Sequence, residues 1–167
     1  MTLIRTLSSL VAGLCLTTAP ALARVDAGTP ALLRALPRHG VKVALNHSDC
    51  NGDRSFDGYY NTGTKAFVVC YSGTPDANDH DTVRHEAIHV AQNCAARRDG
   101  NPNGIRPLLR GTALNNFVKS VLSDEHIIRI KSLYPRDRHL TELEAFAAAR
   151  YYSAAQVQQI VRTWCDL

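Results

Sequence analysis

Two histidines four positions apart, in the sequence His85-Glu86-Ala87-Ile88-His89, form the part of the chain best suited to chemistry. On an α-helix, residues four apart lie on nearly the same face, so both imidazoles can point at one metal ion. Glu86 follows about 100° further round the helix, where its carboxylate can reach a metal-bound water. The spacing therefore predicts two metal ligands and one general base on a single helix.

The helix that carries these residues is predicted over residues 82–98. Asp81 or Thr82 can cap its start, because short oxygen side chains accept hydrogen bonds from the free amides of a first turn. Residues 99–104 contain two glycines, two asparagines and a proline, which cannot continue the helix. Apolar side chains on several sides of the helix indicate that much of its surface is buried; they are Val83, Ala87, Val90, Ala91 and Cys94.

Short segments ahead of this helix predict a small antiparallel sheet. Residues 41–46 begin with alternating apolar and polar side chains, as in a half-buried strand. Residues 58–61 and 65–71 flank the turn Thr62-Gly63-Thr64, which predicts a β-hairpin. The last strand of this hairpin leads into the histidine helix.

The second half of the chain is predicted to be wholly helical, which makes the fold class α+β: a small antiparallel sheet or hairpin, the histidine helix, and a helical C-terminal half. Ser123 and Ser153 are suited to cap two of the helices, and Pro135 ends one. The predicted helices cover residues 112–121, 123–133, 140–152 and 154–164.

The first 23 residues have the pattern of a secretory signal peptide. Arg5 supplies a positive charge, residues 7–18 form a mainly apolar run, and Ala21-Leu22-Ala23 places small residues at the cleavage positions. We therefore expect a mature chain of residues 24–167, forming one domain of a secreted or periplasmic protein. No other apolar stretch approaches the roughly 20 residues needed to cross a bilayer, so we expect no membrane association after cleavage.

Composition argues against a nucleic-acid partner. The chain has 19 Lys and Arg against 15 Asp and Glu, and removal of the signal peptide takes one arginine, which leaves a formal charge of +3. That excess is too small to indicate nucleic-acid binding, and no aromatic side chains alternate with the basic ones. We expect a monomer whose partner is a peptide or protein substrate.

Cysteine usage indicates two disulfides. Four cysteines remain after signal cleavage, an even number in an oxidising compartment, and three pairings are possible. The favoured pairing joins Cys50 to Cys70 in the β-region and Cys94 to Cys165, between the end of the histidine helix and the last helix. A thiolate metal site is disfavoured because no Cys-x-x-Cys pair occurs.

The histidine motif, followed in the second half by a helix bearing Glu142-Leu143-Glu144-Ala145, resembles the gluzincin division of the zincin metallopeptidases. The resemblance implies a Zn²⁺ ion held by His85, His89 and a downstream glutamate, with Glu86 acting on the catalytic water. In related gluzincins that ligand lies three residues before a small residue, which corresponds to Glu142. Where relatives often carry Asp or Asn to hold a zinc-bound histidine, this chain has Phe146.

The residues alone leave the third ligand open between Glu142 and Glu144. The two differ by about 200° around a helix, so only one can face the histidines. Thr141-x-x-Glu144 is also a capping-box pattern, which would hold Glu144 at the helix start and favour Glu142 as the ligand. A partner for the histidines must come from elsewhere, and a backbone carbonyl, Asp79 or Asp81 are candidates.

The predicted chemistry is hydrolysis of peptide bonds by an exported zinc metallopeptidase. Zinc with an open coordination position activates water, and Glu86 would take the proton. Residues 65–71 could present a strand edge to an extended peptide. The alternative is a catalytically inactive secreted zincin-fold binding domain. Candidate donors to the oxyanion are Tyr134, His139, Tyr151 and Tyr152.

Overall fold

The computed structural model describes residues 27–51, 56–71 and 73–166. It is α+β, with every described strand in the first half and helices throughout the second half, so the predicted fold class is confirmed. The predicted signal peptide, residues 1–23, lies outside the described residues. The helices and strands are α1 Thr29–Ala35, β1 Lys42–Leu45, β2 Gly58–Asn61, β3 Ala66–Val69, α2 Ala77–Arg98, α3 Gly111–Val121, α4 Asp124–Leu133, α5 His139–Tyr151 and α6 Ala154–Cys165.

The three described strands form one sheet with the order β1-β3-β2. The predicted hairpin is present, since β2 and β3 pair antiparallel. The sheet is nevertheless mixed, because β1 pairs with β3 in parallel. Strand β3 therefore lies in the centre, with β1 at one edge of the sheet and β2 at the other.

Helix α2 starts earlier than residues 82–98 because its cap is neither Asp81 nor Thr82. The Asp76 carboxylate accepts from the amides of Asn78 and Asp79, and the Asp79 carboxylate accepts from the amide of Asp76. This reciprocal capping box satisfies free amides of the first turn and starts the helix at Ala77. The prediction was correct at the other end, where α2 ends at Arg98.

Helix α2 is the element on which the others pack. Helices α5 and α6 lie along it, and β2 and β3 cover another part of its surface. Because it is enclosed in this way, every residue from His85 to Ala96 is buried. Full burial of each large apolar side chain contributes about 1.5–3 kcal/mol, and the largest such side chains in the core are Phe67, Leu32, Leu36 and Ile88.

Both disulfides have the favoured pairing. Cys50 bonds Cys70, which ties the loop after β1 to the end of β3, and Cys94 bonds Cys165, which ties α2 to the end of α6. Disulfides of this kind are compatible with an oxidising compartment. Among the described helices, none combines the length and the apolar composition needed to cross a membrane.

Candidate metal centre

His85, Glu86 and His89 lie together on the enclosed part of α2, with relative exposures of 8, 7 and 7%. The Nε2 atoms of the two histidines are 3.0 Å apart. That proximity follows from their spacing of four residues, which stacks the side chains on one helix face. The sequence Thr82 to Cys94 thus brings both predicted ligands to one point.

Helix α5 brings Glu142 to the same point. Its Oε2 atom is 3.3 Å from Nε2 of His85 and 3.4 Å from Nε2 of His89, and the side chain is buried. Both distances exceed the usual N–H···O range. Three donor atoms bound at about 2.1 Å to one tetrahedral ion lie about 3.4 Å from each other. These three residues form a buried cluster that could hold a metal ion.

Charge and burial act in opposite directions on the ionisable groups of this cluster. Burial alone lowers the pKa of His89, but its contact with Glu142 and the charge of Glu86 outweigh burial and raise that pKa to about 9. Burial alone raises the pKa of Glu142, whereas its contacts with His85 and His89 lower that pKa to about 2. Without a metal, a protonated His89 therefore faces an ionised Glu142, and a metal cation must compete with that proton.

A cleft of about 450 Å³ opens over the cluster. Its lining includes the two histidines, Glu86 and Glu142 on one side and β2 on another. Glu86 Oε1 is 4.0 Å from Nε2 of His85, beside the three converging atoms, and Glu86 also lines an adjoining cavity of about 260 Å³. Glu86 thus borders both cavities.

Strand β2 packs closely on α2 and β3 at Gly58, which has no side chain. A Cβ atom at Gly58 would lie 2.8 Å from Cγ2 of Thr82 and 2.8 Å from the carbonyl oxygen of Val68. Any larger residue would therefore displace β2 from its close contact with α2 and β3. Glycine at this position therefore allows β2 to pack closely against α2 and β3 beside Glu86.

One of the four predicted oxyanion donors lies at the cleft. Tyr134 lines both cavities, and burial raises its pKa to about 12, an effect that the charges of Glu142 and Glu86 reinforce. His139 instead contacts the backbone, because its Nε2 lies 2.9 Å from the carbonyl oxygen of Tyr134. Tyr151 and Tyr152 pack instead on Phe117.

Gln92 is the residue at this centre that the sequence reasoning missed. Its side chain is fully buried, and Oε1 lies 2.8 Å from Nδ1 of His89. The candidates Asp79 and Asp81 are elsewhere: Asp79 is in the capping box, and Asp81 pairs with Arg84. A signal existed in the sequence, because an amide three residues after His89 lies among the apolar side chains of α2.

Phe146 and Glu144 occupy the other positions that the sequence analysis singled out. The ring of Phe146 packs edge-on against His85, with centroids 4.3 Å apart. Glu144 is buried but lies away from the histidine pair, where it accepts hydrogen bonds from the backbone amides of Leu108 and Leu109. The predicted capping box was wrong, since no side chain caps α5 and Thr141 donates to the Arg138 carbonyl.

The predicted peptide edge at residues 65–71 was also wrong. Strand β3, Ala66–Val69, is the central strand, with β1 on one side and β2 on the other. Its backbone groups already bond to those neighbours and cannot receive another strand. Of the described strands, β2 is the edge strand that lines the cleft.

These observations define an α+β protein with a buried pair of histidines and a glutamate that could hold a metal ion at the bottom of a cleft. A family model described as a domain of unknown function, DUF8637, matches residues 22–165, and the chain belongs to this family. No curated protein matches the chain significantly. No solved structure does so either.

Proposed function

We propose that this protein is an exported zinc-dependent metallopeptidase, of the gluzincin kind that its motifs resemble. The observation that supports the proposal best is the convergence of His85 Nε2, His89 Nε2 and Glu142 Oε2 at separations of 3.0 to 3.4 Å. Those separations fit a single tetrahedral ion with three protein ligands. A site of this kind keeps its fourth position for water or substrate, as catalytic zinc sites do.

Zinc is the metal that this donor set favours. Two neutral imidazoles and one carboxylate form a ligand set known from zinc hydrolases, whereas calcium and magnesium prefer sites built wholly from oxygen. A bound zinc ion would supply Lewis acidity and an activated water for hydrolysis. Burial of the three ligands supports tight binding, since each is at most 8% exposed.

Glu86 is proposed as the general base. Its carboxylate is close to the ligand atoms without being one of the three that converge, and it borders both cavities. It can accept a proton from the attacking water and afterwards deliver it to the departing amine. For both steps, the Glu86 carboxylate must lie within hydrogen-bond reach of the water and of the departing amine. Its position in the lining of both cavities allows this.

Tyr134 is proposed as the donor to the developing oxyanion. Because its pKa is about 12, its hydroxyl keeps its proton at neutral pH and remains a hydrogen-bond donor. A donor aimed at charge that appears only in the transition state lowers the activation barrier. The position of Tyr134 in both cavities favours it over His139, Tyr151 and Tyr152.

The substrate class that fits the cleft is an extended peptide or an unfolded protein segment. One hydrogen bond shows which amides of β2 face β3: the amide of Cys70 donates to the carbonyl oxygen of Asp57. In an antiparallel ladder, hydrogen-bonded pairs recur at every second residue. The amides of Tyr59 and Asn61 therefore bond to β3, while those of Gly58 and Tyr60 point to the free edge. A peptide docked along this edge gains main-chain hydrogen bonds with little demand on its sequence.

Metal content and one active-site variant test the proposal. Protein purified without chelator should contain about one zinc ion per chain. Glu86→Gln should keep that zinc and lose hydrolysis of unfolded protein, because the amide cannot accept the proton. Glu125→Gln is the matched control: Glu125 is an exposed glutamate on α4, so this variant should keep both zinc and activity.

The same experiment separates the alternative. A folded protein without bound metal would overturn the zinc site and with it the peptidase. A zinc protein that is as inert on a broad library of peptides as its Glu86→Gln variant would instead support a zincin-fold binding domain.

A further inference from the structure

The two histidines of the cluster are supported unequally. Nδ1 of His89 lies 2.8 Å from Oε1 of Gln92. Nδ1 of His85 is buried and has no hydrogen-bond partner among the described residues. The orientation of the two imidazoles is therefore controlled in different ways, by a hydrogen bond for His89 and by packing on Phe146 for His85.

The surroundings of Gln92 fix which way its amide points. Its Nε2 is 3.0 Å from the carbonyl oxygen of Thr141 and 2.9 Å from Oε2 of Glu144. A backbone carbonyl can only accept, so the nitrogen of the Gln92 amide must face Thr141. The oxygen of that amide is then the atom that faces His89. In the reversed orientation, the amide oxygen would face the oxygens of Thr141 and Glu144.

That orientation determines the state of His89. An amide oxygen only accepts, so Nδ1 of His89 must carry the proton. When the ring is neutral, its lone pair is then on Nε2, the atom that faces His85 and Glu142. Because Nδ1 keeps its proton whether the ring is neutral or charged, this conclusion does not depend on the titration of His89.

Glu144 holds Gln92 in place. Its two oxygens accept from the amides of Leu108 and Leu109, each at 2.7 Å, and one of them also accepts from Gln92. The carboxylate is 2% exposed, and its hydrogen bonds come from two separate parts of the fold. A chain of hydrogen bonds thus runs from the loop before α3 through Glu144 and Gln92 to His89.

We propose that Gln92, held by Thr141 and Glu144, is a positioning residue that selects the Nδ1–H tautomer of His89 and presents Nε2 to the metal. This proposal rests on the proposed metal site, because Gln92 can act as a positioning residue only if His89 binds a metal. Hydrogen bonds to the far nitrogen of a metal-binding histidine fix its tautomer and ring orientation, and their loss typically weakens metal binding 10–100-fold.

The first test uses the wild-type protein with ¹⁵N-labelled histidine, so it does not depend on any variant. The proton on Nδ1 of His89 should give an NMR signal that exchanges slowly with water, in the metal-free protein and after loading with metal. With ¹¹³Cd²⁺ as the probe, the metal should show scalar coupling to Nε2 of His89. An absent Nδ1 proton signal, or coupling to Nδ1, would overturn the proposal.

The second test compares two buried amides of α2. Gln92→Met removes the contact with His89 and should weaken zinc binding about 10–100-fold. Asn93→Leu is the matched control, because Asn93 is 1% exposed but bonds to Tyr60, Lys65 and the loop at Pro102 rather than to a histidine. It should change zinc affinity by about twofold at most. Equal losses in both variants would overturn the positioning role.

Failure of the underlying function gives a different result. If the wild-type protein binds neither zinc nor cadmium, the metal site is wrong. The slowly exchanging Nδ1 proton in wild type and in Asn93→Leu, and its loss in Gln92→Met, would still support the assignment of Gln92.

Discussion

Glu142 and Glu144, two residues apart on α5, direct their carboxylates to different places. Glu142 Oε2 lies within 3.4 Å of both histidines, whereas Glu144 accepts hydrogen bonds from Gln92 and from the loop before α3. Both carboxylates are buried, with exposures of 5 and 2%. Their separation of about 200° around the helix accounts for this division.

Substitution of the two glutamates should therefore affect different properties, zinc content for Glu142 and stability for Glu144. Glu142→Gln should reduce bound zinc to well below one ion per chain, because a neutral amide replaces the anionic ligand. Glu144→Gln should still bind zinc, because the Thr141 carbonyl continues to hold Gln92, but it should lower the free energy of unfolding by about 1–3 kcal/mol, because one buried partner group is left poorly satisfied. Metal analysis and urea unfolding measure the two effects. Loss of zinc in Glu144→Gln with retention in Glu142→Gln would reverse the ligand assignment.

The stability of the metal-free protein should depend on pH through His89 and Glu142. The pKa of His89 rises on folding from 6.5 to about 9, so its contribution is complete below pH 6.5 and is lost as the pH rises through about 9. The pKa of Glu142 falls from 4.5 to about 2, so its contribution is present above pH 4.5 and is lost as the pH falls toward 2.

The metal-free protein should thus lose stability between pH 6.5 and pH 9, by on the order of 2 kcal/mol. Urea unfolding in the presence of a chelator at both pH values measures the loss. Glu142→Gln should show a smaller loss over the same range, since the carboxylate that stabilises the charged His89 is gone. A wild-type protein that is equally stable at both pH values would contradict the prediction.

The parts of the fold that sequence predicts well are those with local causes. Spacing of four residues explains why His85 and His89 meet, and the caps Ser123 and Ser153 start α4 and α6 as expected, because each accepts from an amide three residues later. The cap of α2 was missed because Asp76 and Asp79 form the capping box with aspartate in both positions. A capping box usually pairs Ser or Thr with Glu or Gln, and here two aspartates make the same two hydrogen bonds.

Sequence predicts poorly where a contact joins distant segments. The position of β3 in the centre of the sheet depends on where β1 pairs, and nothing in residues 65–71 encodes that pairing. Likewise, the expected capping box at Thr141 and Glu144 is absent, because Glu144 finds partners in the loop at Leu108 and Leu109 instead. The predicted capping box favoured Glu142 over Glu144 as the ligand, but α5 has no side-chain cap.

Tyr134→Phe should lower the rate of hydrolysis and leave metal binding unchanged. Loss of a donor to the oxyanion costs about 10²–10³-fold in kcat at comparable sites, whereas the phenyl ring keeps the packing against Phe146. Tyr151→Phe is the matched control, because Tyr151 packs on Phe117 and is absent from the cleft lining. Steady-state kinetics and zinc content are the measurements. Equal activity of wild type and Tyr134→Phe would exclude Tyr134 as the donor.

Binding of a peptide should protect the free edge of β2. In the Glu86→Gln variant, which should leave a bound peptide intact, hydrogen exchange at the amides of Gly58 and Tyr60 should slow when a peptide is added, because those amides point away from β3. The amides of Tyr59 and Asn61 serve as internal controls, since they already bond to β3 and should change little. NMR-detected exchange resolves the four positions. Protection confined to β3, or equal protection at all four amides, would show that the peptide does not dock along this edge.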